Sequence, residues 1–210
     1  MTLDIIFRSI YIAIFSLFWG SLFGLPLGFY LALSKVRFKR LLLLFLYILF
    51  ALPPISIGLF IYLLFSRSGV FGFLGWLFTP KVMIIAQSIM VIPLITTIIY
   101  NSLQEVGEKI WETSLLMGAS YSQILRTILK EIRFNIGIAL STAFGRVVSE
   151  VGASTIVGGD IEGKTRTITT AILTETRKGN FDFALEQALI LILISLIINS
   201  LILLWQGKIK

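Results

Sequence analysis

Apolar residues in this chain are gathered into five long runs that are separated by short polar segments. A helix needs about 20 apolar residues to cross a bilayer core of about 30 Å at a rise of about 1.5 Å per residue. The runs predict five membrane-spanning helices, at about 10–33, 41–65, 82–99, 134–151 and 183–205. The first run is longer than the apolar core of a cleaved signal peptide, and its basic cluster follows it, so we interpret it as a retained span. The sequence therefore predicts an all-α integral membrane protein, with residues 1–210 forming one transmembrane domain.

Basic residues in the connecting segments predict the orientation of these spans. The link between the first two spans lacks acidic residues and carries four basic ones, Lys35, Arg37, Lys39 and Arg40. This is typical of a cytoplasmic loop, because positive residues are retained on that side. Alternation then predicts the N-terminus and segments 66–81 and 152–182 outside, and segment 101–133 and the C-terminal tail with Lys208 and Lys210 in the cytoplasm.

The composition agrees with a protein whose main solvent is lipid. Hydrophobic residues make up 57% of the chain and charged residues 14%, whereas soluble domains average about 45–50% and about 25%. The net charge of +7 would suggest nucleic acid in a soluble protein. Here we assign it to cytoplasmic loops beside anionic headgroups, and we predict membrane lipid and no nucleic acid as a partner.

The sequence also contains no cysteine and no histidine. Their lack excludes thiol nucleophiles, disulfides, Cys/His zinc sites and imidazole acid–base chemistry. We therefore predict no cofactor, no metal site and no enzymatic activity for this chain.

Glycines and prolines occur in or beside the predicted spans. Gly20, Gly24 and Gly28 recur every four residues in the first span, a spacing that favours close helix packing. Four prolines lie in or beside apolar spans, namely Pro26, Pro53, Pro54 and Pro93. They predict kinks, either tolerated within packed helices or part of a set of bent helices around a path.

Segment 101–133 carries a pattern too regular for a plain connector. Residues 108–117 predict a short helix, which Gly118 ends as a C′ glycine would. Ser120 and Gln123 fit a capping box that starts a second helix. Apolar residues then keep helical spacing into the fourth span, at Ile124, Leu125, Ile128, Leu129 and Ile132. The pattern alone is also typical of an interfacial amphipathic hairpin without a partner.

The same segment resembles the EAA loop in the permeases of ATP-binding-cassette (ABC) importers. Glu112, Gly118 and Ile128 match that loop at the right spacing. Thr113 and Ser114 replace the two alanines with small residues. Lys130 and Glu131 stand where the family usually has Leu and Pro, so the last part of the signature is missing.

This resemblance implies both a fold and a role for the loop. The fold is that of a type I ABC importer permease, and residues 103–132 form a cytoplasmic coupling loop whose helix docks in a groove of the ATPase subunit. The turn at Gly118 lets the backbone approach that partner closely. The residues expected to couple the permease to the ATPase are Glu112, Thr113, Ser114, Gly118, Ala119 and Ile128.

Segments 149–153, 156–166 and 169–176 are similar to the tungstate branch of the molybdate/tungstate/sulfate permeases. The most specific stretch reads Val-Gly-Gly-Asp-Ile-x-Gly-x-Thr-Arg and ends at Arg166. The resemblance implies a bacterial or archaeal inner-membrane permease that moves an oxyanion, tungstate, into the cytoplasm. It also implies an ATP-binding subunit dimer inside and a solute-binding protein outside. Molybdate, sulfate or another small solute stays open as the substrate.

Residues 158–165 match the P-loop expression G-x-x-x-x-G-K-[ST]. A P-loop must follow a buried strand and open a helix, and a second acidic motif must lie on another strand. The residues before this segment make a poor strand, and the predicted topology puts the segment outside, away from ATP. We therefore predict that this chain does not bind nucleotide.

The outer segment 152–182 predicts a short helix from Thr167 to Lys178, ended by Gly179. This helix is too polar to span lipid, so we expect it to be re-entrant or to lie across the outer mouth of a path. Lys164, Arg166 and the neighbouring threonine hydroxyls offer the charge and donors that a divalent oxyanion needs. An ordinary solvated loop is the alternative.

Arg146 and Glu150 lie four residues apart in the fourth span and therefore share a helical face. Ionisable groups within a span usually pair or line a water-filled cavity, so the two predict either a structural ion pair or a gate. Glu150 would repel an anion, and we do not expect it to coordinate one. The complete set of candidate pathway or gate residues is Arg146, Ser149, Glu150, Thr155, Lys164, Arg166 and Thr169.

Five helices give too little wall for a gated path, so we predict a homodimer with the path at its twofold interface. The sequence shows no internal inverted repeat, which argues against a self-contained secondary transporter. Two other classes of protein are considered. The coupling-type loop argues against an ATP-independent transporter or channel, and the lack of His and Cys argues against a membrane enzyme.

Overall fold

The computed structural model describes residues 2–34 and 37–207, with the side chains of residues 105, 106, 108, 203 and 205–207 outside that description. Its regular elements are helices, which confirms the all-α prediction for the described part of the chain. In chain order they are α1 (Thr2–Leu33), α2 (Lys39–Ala51), α3 (Pro54–Phe65), a 3₁₀ turn (Gly72–Leu74), α4 (Pro80–Leu116), α5 (Tyr121–Glu131), α6 (Arg133–Val148), α7 (Gly152–Gly158), α8 (Ile168–Arg177) and α9 (Phe181–Gly207). Three basic residues of the predicted cytoplasmic segments, Lys35, Lys208 and Lys210, lie outside the described residues.

Three helices are long and apolar enough to cross a membrane singly, namely α1, residues 80–104 of α4 and residues 181–202 of α9. Two further spans arise if each of two bent helix pairs counts as one span. The described chain therefore has three to five candidate spans, a range that includes the predicted five.

The predicted second span, 41–65, is not one helix. It is broken into α2 and α3, which are bent by 98° relative to each other. Leu52 adopts an extended backbone, with φ −60° and ψ 136°, immediately before Pro53 and Pro54. Proline lacks a backbone N–H and disfavours helical geometry in the residue before it, so α2 ends here and Pro54 begins α3. The kink predicted from these prolines is thus a complete break.

The predicted fourth span, 134–151, is also shorter than expected, because α6 ends at Val148. A bend of 55° separates it from α7, which occupies the first residues of the segment predicted as an outer loop. Ala153 of α7 is fully buried. Gly58 of α3 allows this close approach, since a Cβ at that glycine would lie 2.7 Å from Ala153 Cα.

The most extensive helix–helix contact among the described elements joins α1 to α4. A Cβ at Gly24 would lie 3.1 Å from the Ile92 carbonyl oxygen, and one at Gly28 would lie 2.9 Å from the Thr96 carbonyl oxygen. The Thr96 hydroxyl donates a hydrogen bond of 3.2 Å to the Gly24 carbonyl oxygen. The glycine spacing therefore predicted the close packing correctly, and α4 is the helix that it serves.

Helix α4 is longer than the predicted third span. It continues past residue 104, where its apolar part ends, and reaches Leu116, which extends it by about 18 Å. The short helix predicted at 108–117 is therefore the end of α4 and not a separate element. No strong helix breaker stands between the span and Gly118, and Gly107 is accommodated within the helix.

Candidate functional site

The turn between α4 and α5 forms as the sequence predicts. Gly118 has φ +75°, a left-handed conformation that glycine adopts without strain. Its N–H donates to the Leu115 carbonyl oxygen at 2.9 Å, and the Ala119 N–H donates to the Ser114 carbonyl oxygen at 3.0 Å. These two bonds make a Schellman motif that closes α4.

The start of α5 confirms the predicted capping box. The Ser120 backbone N–H donates to Gln123 Oε1 at 2.7 Å, which satisfies a donor that the first turn leaves open. Ile124 and Ile128 of α5 are fully buried in a core shared with α1, α4 and α6. The described turn is therefore held rigidly against the transmembrane helices.

Large apolar side chains project from this turn into open space. Leu116 is 90% exposed and Met117 is 82% exposed, and Leu115 and Tyr121 on either side are also exposed. Exposed apolar clusters of this kind usually mark an interaction surface. We name Leu115, Leu116, Met117 and Tyr121 the turn cluster.

At the break between α6 and α7, the buried Glu150 organises the backbone. Its carboxylate Oε1 accepts a hydrogen bond of 2.8 Å from the Ala153 N–H in the first turn of α7. Its carbonyl oxygen accepts a bond of 2.9 Å from the Thr169 hydroxyl of α8. Glu150 thus joins three elements through its side chain and its backbone.

No contact within 4.0 Å joins the charged groups of Arg146 and Glu150 among the described residues, and their interaction is a longer-range electrostatic one. The helix ends at Val148, so the four-residue spacing no longer places both side chains on one face. Glu150 turns into the protein, while Arg146 stays half-buried on α6.

A small polar cluster lies beside Glu150. The Gln87 side chain of α4 accepts a hydrogen bond of 3.0 Å from the Ser16 hydroxyl of α1 and donates one of 3.0 Å to Ser154 Oγ of α7. A cavity of about 10 Å³ separates Gln87 from Glu150 and Thr169. This volume is near the minimum that holds one water molecule.

The segment after α7 is built around Arg166, which is buried. Its guanidinium lies 3.4 Å from Asp160, 3.6 Å from Glu162 and 3.6 Å from Glu175. We name Asp160, Glu162, Arg166 and Glu175 the Arg166 cluster. Three carboxylates thus surround the cation that we expected Arg166 to offer an oxyanion.

Glu175 gains further partners at the end of α8. Lys178 Nζ donates to Glu175 Oε1 at 2.9 Å, and Asn180 Nδ2 donates to Oε2 at 3.0 Å. These hydrogen bonds, with that of Lys178 contributing most, lower the pKa of Glu175 below its usual value. Gly179 has φ +79° and follows α8 as predicted.

The P-loop expression at 158–165 has neither of the structural neighbours that a P-loop needs. It follows α7 rather than a strand, and the Thr165 hydroxyl donates to the Gly158 carbonyl oxygen at 2.6 Å. The next helix, α8, begins only at Ile168 and is capped by Thr167. The segment closes on itself and leaves no open cradle of backbone N–H groups at a helix start.

Helix α1 holds this segment from the other side. Arg8 donates hydrogen bonds of 3.1 Å to the Arg166 carbonyl oxygen and 2.8 Å to the Gly163 carbonyl oxygen. The Ser9 hydroxyl accepts from the Ile168 N–H at 2.8 Å, at the start of α8. The first turns of α1 therefore fix the position of α8.

Comparison with known proteins identifies the family of this chain. The family model described as "Binding-protein-dependent transport system inner membrane component" matches residues 24–210. The chain belongs to this family. It is therefore a multi-pass inner-membrane permease subunit of the ABC transporter type, and ATPase activity lies in other subunits of such systems.

Two relatives and one solved structure illustrate the similarity. The tungstate uptake system permease protein TupB of Peptoclostridium acidaminophilum is 36% identical over 94% of this chain and 87% of its own length. A probable anion ABC transporter permease protein of Haloferax volcanii is 31% identical over 92% of this chain and 85% of its own length. A chain of the MetNI methionine ABC transporter, solved in inward-facing conformations, has a TM-score of 0.74 with 19% identity and covers 100% of this chain and 94% of its own. The last comparison supports the type I permease fold.

The structure of the permease divides the predicted site residues by exposure. In the coupling set, Glu112, Thr113 and Gly118 are exposed, Ser114 and Ala119 are half-buried, and Ile128 is buried. In the pathway set, Ser149 and Lys164 are exposed, Arg146 and Thr155 are half-buried, and Glu150, Arg166 and Thr169 are buried. Buried members hold the fold of the permease, and exposed members are available to a partner or solute.

One exposed polar face of the permease lies on α6. Thr142 and Ser149 are exposed there, and Arg146 is half-buried beside them. A Cβ added at Gly145 would meet nothing within 4 Å, so the space in front of this face is open. We name Thr142, Gly145, Arg146 and Ser149 the α6 polar face.

Several residues that organise the permease could not be recognised from the sequence. Arg8 precedes the first predicted span, and Gln87 lies within the apolar run that predicts the third span. A single amide in such a run is a signal, since a buried polar group must find partners. Among the side chains that the structure describes, no group of three or more acidic residues has the arrangement that could hold a metal ion.

Proposed function

We propose that this chain is the permease of an ABC importer that carries tungstate into the cytoplasm. ATP hydrolysis on a separate subunit drives the transport. The observation that carries the proposal is the turn cluster, in which Leu116 and Met117 stand almost fully exposed at the end of a helix that extends beyond its apolar span. Such side chains are suited to an apolar groove on a partner protein.

The turn cluster is proposed to be cytoplasmic. Lys39 lines the same small cavity as Trp111 and Glu112 of α4, so the basic segment 37–40 lies at the same end of the molecule as the turn. Positive residues are enriched on the cytoplasmic side. We therefore propose that the N-terminus lies outside and the C-terminus inside, as the sequence pattern predicts.

In the proposed coupling, Glu112, Thr113 and Gly118 contact the ATPase together with the turn cluster. Ser114 and Ala119 support the turn through its backbone bonds, and Ile128 anchors α5 on the core. Because α4 is continuous from the turn into the membrane, a movement of the docked turn is transmitted along it as a rigid body. An ATPase dimer would move two such turns together.

The transport path is proposed to lie between two copies of the chain, along the α6 polar face. Arg146 has no carboxylate within 4.0 Å among the described residues, whereas Arg166 has three. Arg146 is therefore the better candidate to meet an oxyanion, whereas the Thr142 and Ser149 hydroxyls donate to the Ile138 and Gly145 carbonyl oxygens. A weakly held series of such groups suits passage, because the anion must leave again.

Tungstate is proposed as the substrate because the TupB relative carries that name and is similar over nearly the whole chain. A solute-binding protein is expected outside, over the exposed Lys164 and the Arg166 cluster. Molybdate and sulfate remain alternatives within the same class.

The proposal is tested by reconstituting the permease with its ATPase in vesicles that enclose ATP and hold the solute-binding protein outside. Uptake of tungstate that exceeds uptake of molybdate and sulfate, and that stops when ATP is omitted, is the expected result. Preference for another oxyanion would assign a different substrate and leave the protein an ABC importer permease. Uptake without ATP would instead support a secondary transporter or channel.

A further inference from the structure

A long apolar groove runs along one side of α1. One cavity of about 560 Å³ lies between α1 and Leu140 of α6, and it shares Leu25 and Pro26 with a second cavity of about 730 Å³. The second cavity is bounded by α1, the end of α4, α5 and the start of α6. We name this second cavity the α1 groove.

The walls of the α1 groove suit an acyl chain. On one side stand Leu25 and Phe29 of α1, and on the other Leu125 and Leu129 of α5. The groove extends from Leu25 to Ser34, about 14 Å along the helix axis, which is close to half of a hydrocarbon core of about 30 Å. The depth of the groove therefore corresponds to one leaflet.

One end of the α1 groove is polar. Ser34 is among the residues that line it, and its hydroxyl oxygen is buried without a hydrogen-bond partner among the described residues. Tyr30, Trp111 and Tyr121 surround this end, and such amphipathic rings are enriched where lipid meets water.

Basic residues follow directly beyond the polar end. Arg37 and Arg40 are exposed, and Lys39 lines a smaller cavity of about 260 Å³ that shares Leu33, Ser34 and Trp111 with the α1 groove. Glu112 lines the same cavity as Lys39. Segment 37–40 carries three basic residues and no acidic one, and such residues favour an anionic headgroup by about 1 kcal/mol each near a membrane surface.

We propose that the α1 groove binds an anionic phospholipid of the cytoplasmic leaflet. One acyl chain lies between α1 and α5, and the phosphate lies against Lys39, Arg37 and Arg40. The leaflet assignment rests on the proposed orientation, whereas the binding itself does not. Because Tyr121, Leu125 and Leu129 line one stripe of α5, the lipid touches the same helix that follows the proposed coupling turn.

A second copy of the chain is the competing occupant. The α6 polar face and α9 offer better surfaces for a copy, since only 6% of the apolar window of α9 is buried in one chain. A protein partner would also have to satisfy the cations of segment 37–40 with carboxylates. The described carboxylates of the Arg166 cluster are already paired with Arg166.

The proposal is tested by fluorescence quenching of Trp111. The full chain with Trp19→Phe, Trp76→Phe and Trp205→Phe is placed in vesicles of phosphatidylcholine. Either phosphatidylglycerol or phosphatidylcholine with the same brominated acyl chains is then added in increasing fraction. We expect half-maximal quenching at a several-fold lower fraction of the brominated phosphatidylglycerol.

Two variants make the test specific. Replacing Arg37, Lys39 and Arg40 together by Gln is expected to remove the preference for phosphatidylglycerol. Lys81→Gln is the matched control, because Lys81 lies over the Trp76 ring, outside the α1 groove, and should leave the preference intact. Mass spectrometry of the unsubstituted chain extracted from mixed vesicles is an independent measurement, with one retained phosphatidylglycerol per chain expected.

Equal quenching by both lipids, or a preference that survives loss of the three basic residues, would overturn the proposal. Lack of quenching by either lipid, together with cross-linking of two copies through the groove, would assign the groove to a second copy. The measurement needs neither ATPase nor tungstate. Failure of transport with intact lipid preference would therefore count against the proposed function alone.

Discussion

The Glu150 carboxylate caps the first turn of α7, with 2.8 Å between its Oε1 and the Ala153 backbone nitrogen. Through this bond a buried acidic residue holds the bend between α6 and α7 in place. An acid inside a predicted span suggested a gate or an ion pair. Its observed role is to satisfy backbone donors where a helix starts within the protein.

Removal of this cap is expected to destabilise the permease. Glu150→Ala should lower the free energy of unfolding by about 1 kcal/mol, the usual cost of losing a capping side chain, and leave the Ala153 N–H buried without a partner. Thermal unfolding of the purified protein in detergent measures the effect. Ser149→Ala, at the exposed neighbouring position, is the control and should change the midpoint little. Equal midpoints for both variants would contradict a capping role.

The Arg166 cluster gives a second prediction. Arg166→Met should destabilise the fold by about 3–5 kcal/mol, because Asp160, whose side chain is only 10% exposed, would lose its cation. Glu175 would keep Lys178 as a partner. Lys164→Met is the matched control at an exposed position two residues earlier and should be close to neutral. Unfolding is followed for both proteins under the same conditions. If Arg166→Met instead kept its stability and raised only the KM for the oxyanion, Arg166 would belong to the transport path.

Glu175 predicts how stability depends on pH. Its pKa lies below the ordinary 4.5 because Lys178 and Asn180 bond to the carboxylate. The ionised Glu175 carboxylate therefore stabilises the folded state. Because its folded-state pKa is lowered, this stabilisation is complete above the unfolded-state pKa and is lost as the pH falls through the folded-state pKa. The stability difference between wild type and Glu175→Gln should therefore shrink as the pH falls below 4.5.

Unfolding midpoints of both proteins across that range measure the difference. Glu186→Gln, at an exposed position on α9, is the control for replacing a carboxylate by an amide. If the difference in unfolding midpoint between wild type and Glu175→Gln stayed constant into the acid range, the Glu175 carboxylate would stabilise the fold without its charge.

Local patterns predicted the local structure of this permease well. The spacing around Gly118 predicted the helix end, and Ser120 with Gln123 predicted the next helix start, because both motifs are set by neighbouring residues. Contacts between residues far apart in the sequence could not be predicted from such patterns. Arg166 was expected at an open mouth, yet its partner Glu175 comes from the next helix, and no spacing rule indicates that pairing. The insertion of α7 likewise depends on a glycine of α3 that is remote in sequence.

The turn cluster gives the decisive test of coupling. Leu116→Asp should abolish co-purification of the ATPase, since it places a charge on the apolar surface proposed to enter the partner's groove. The fold should be unaffected, because this side chain is 90% exposed and contributes no core contact. Phe73→Asp is the matched control, since Phe73 is 82% exposed in the short 3₁₀ turn before α4 and should leave ATPase binding unchanged. Both variants are compared with wild type for unfolding midpoint, ATPase recovery and transport. Full recovery of the ATPase with Leu116→Asp would exclude the turn cluster as the coupling surface, whereas loss in both variants would point to a general defect in assembly.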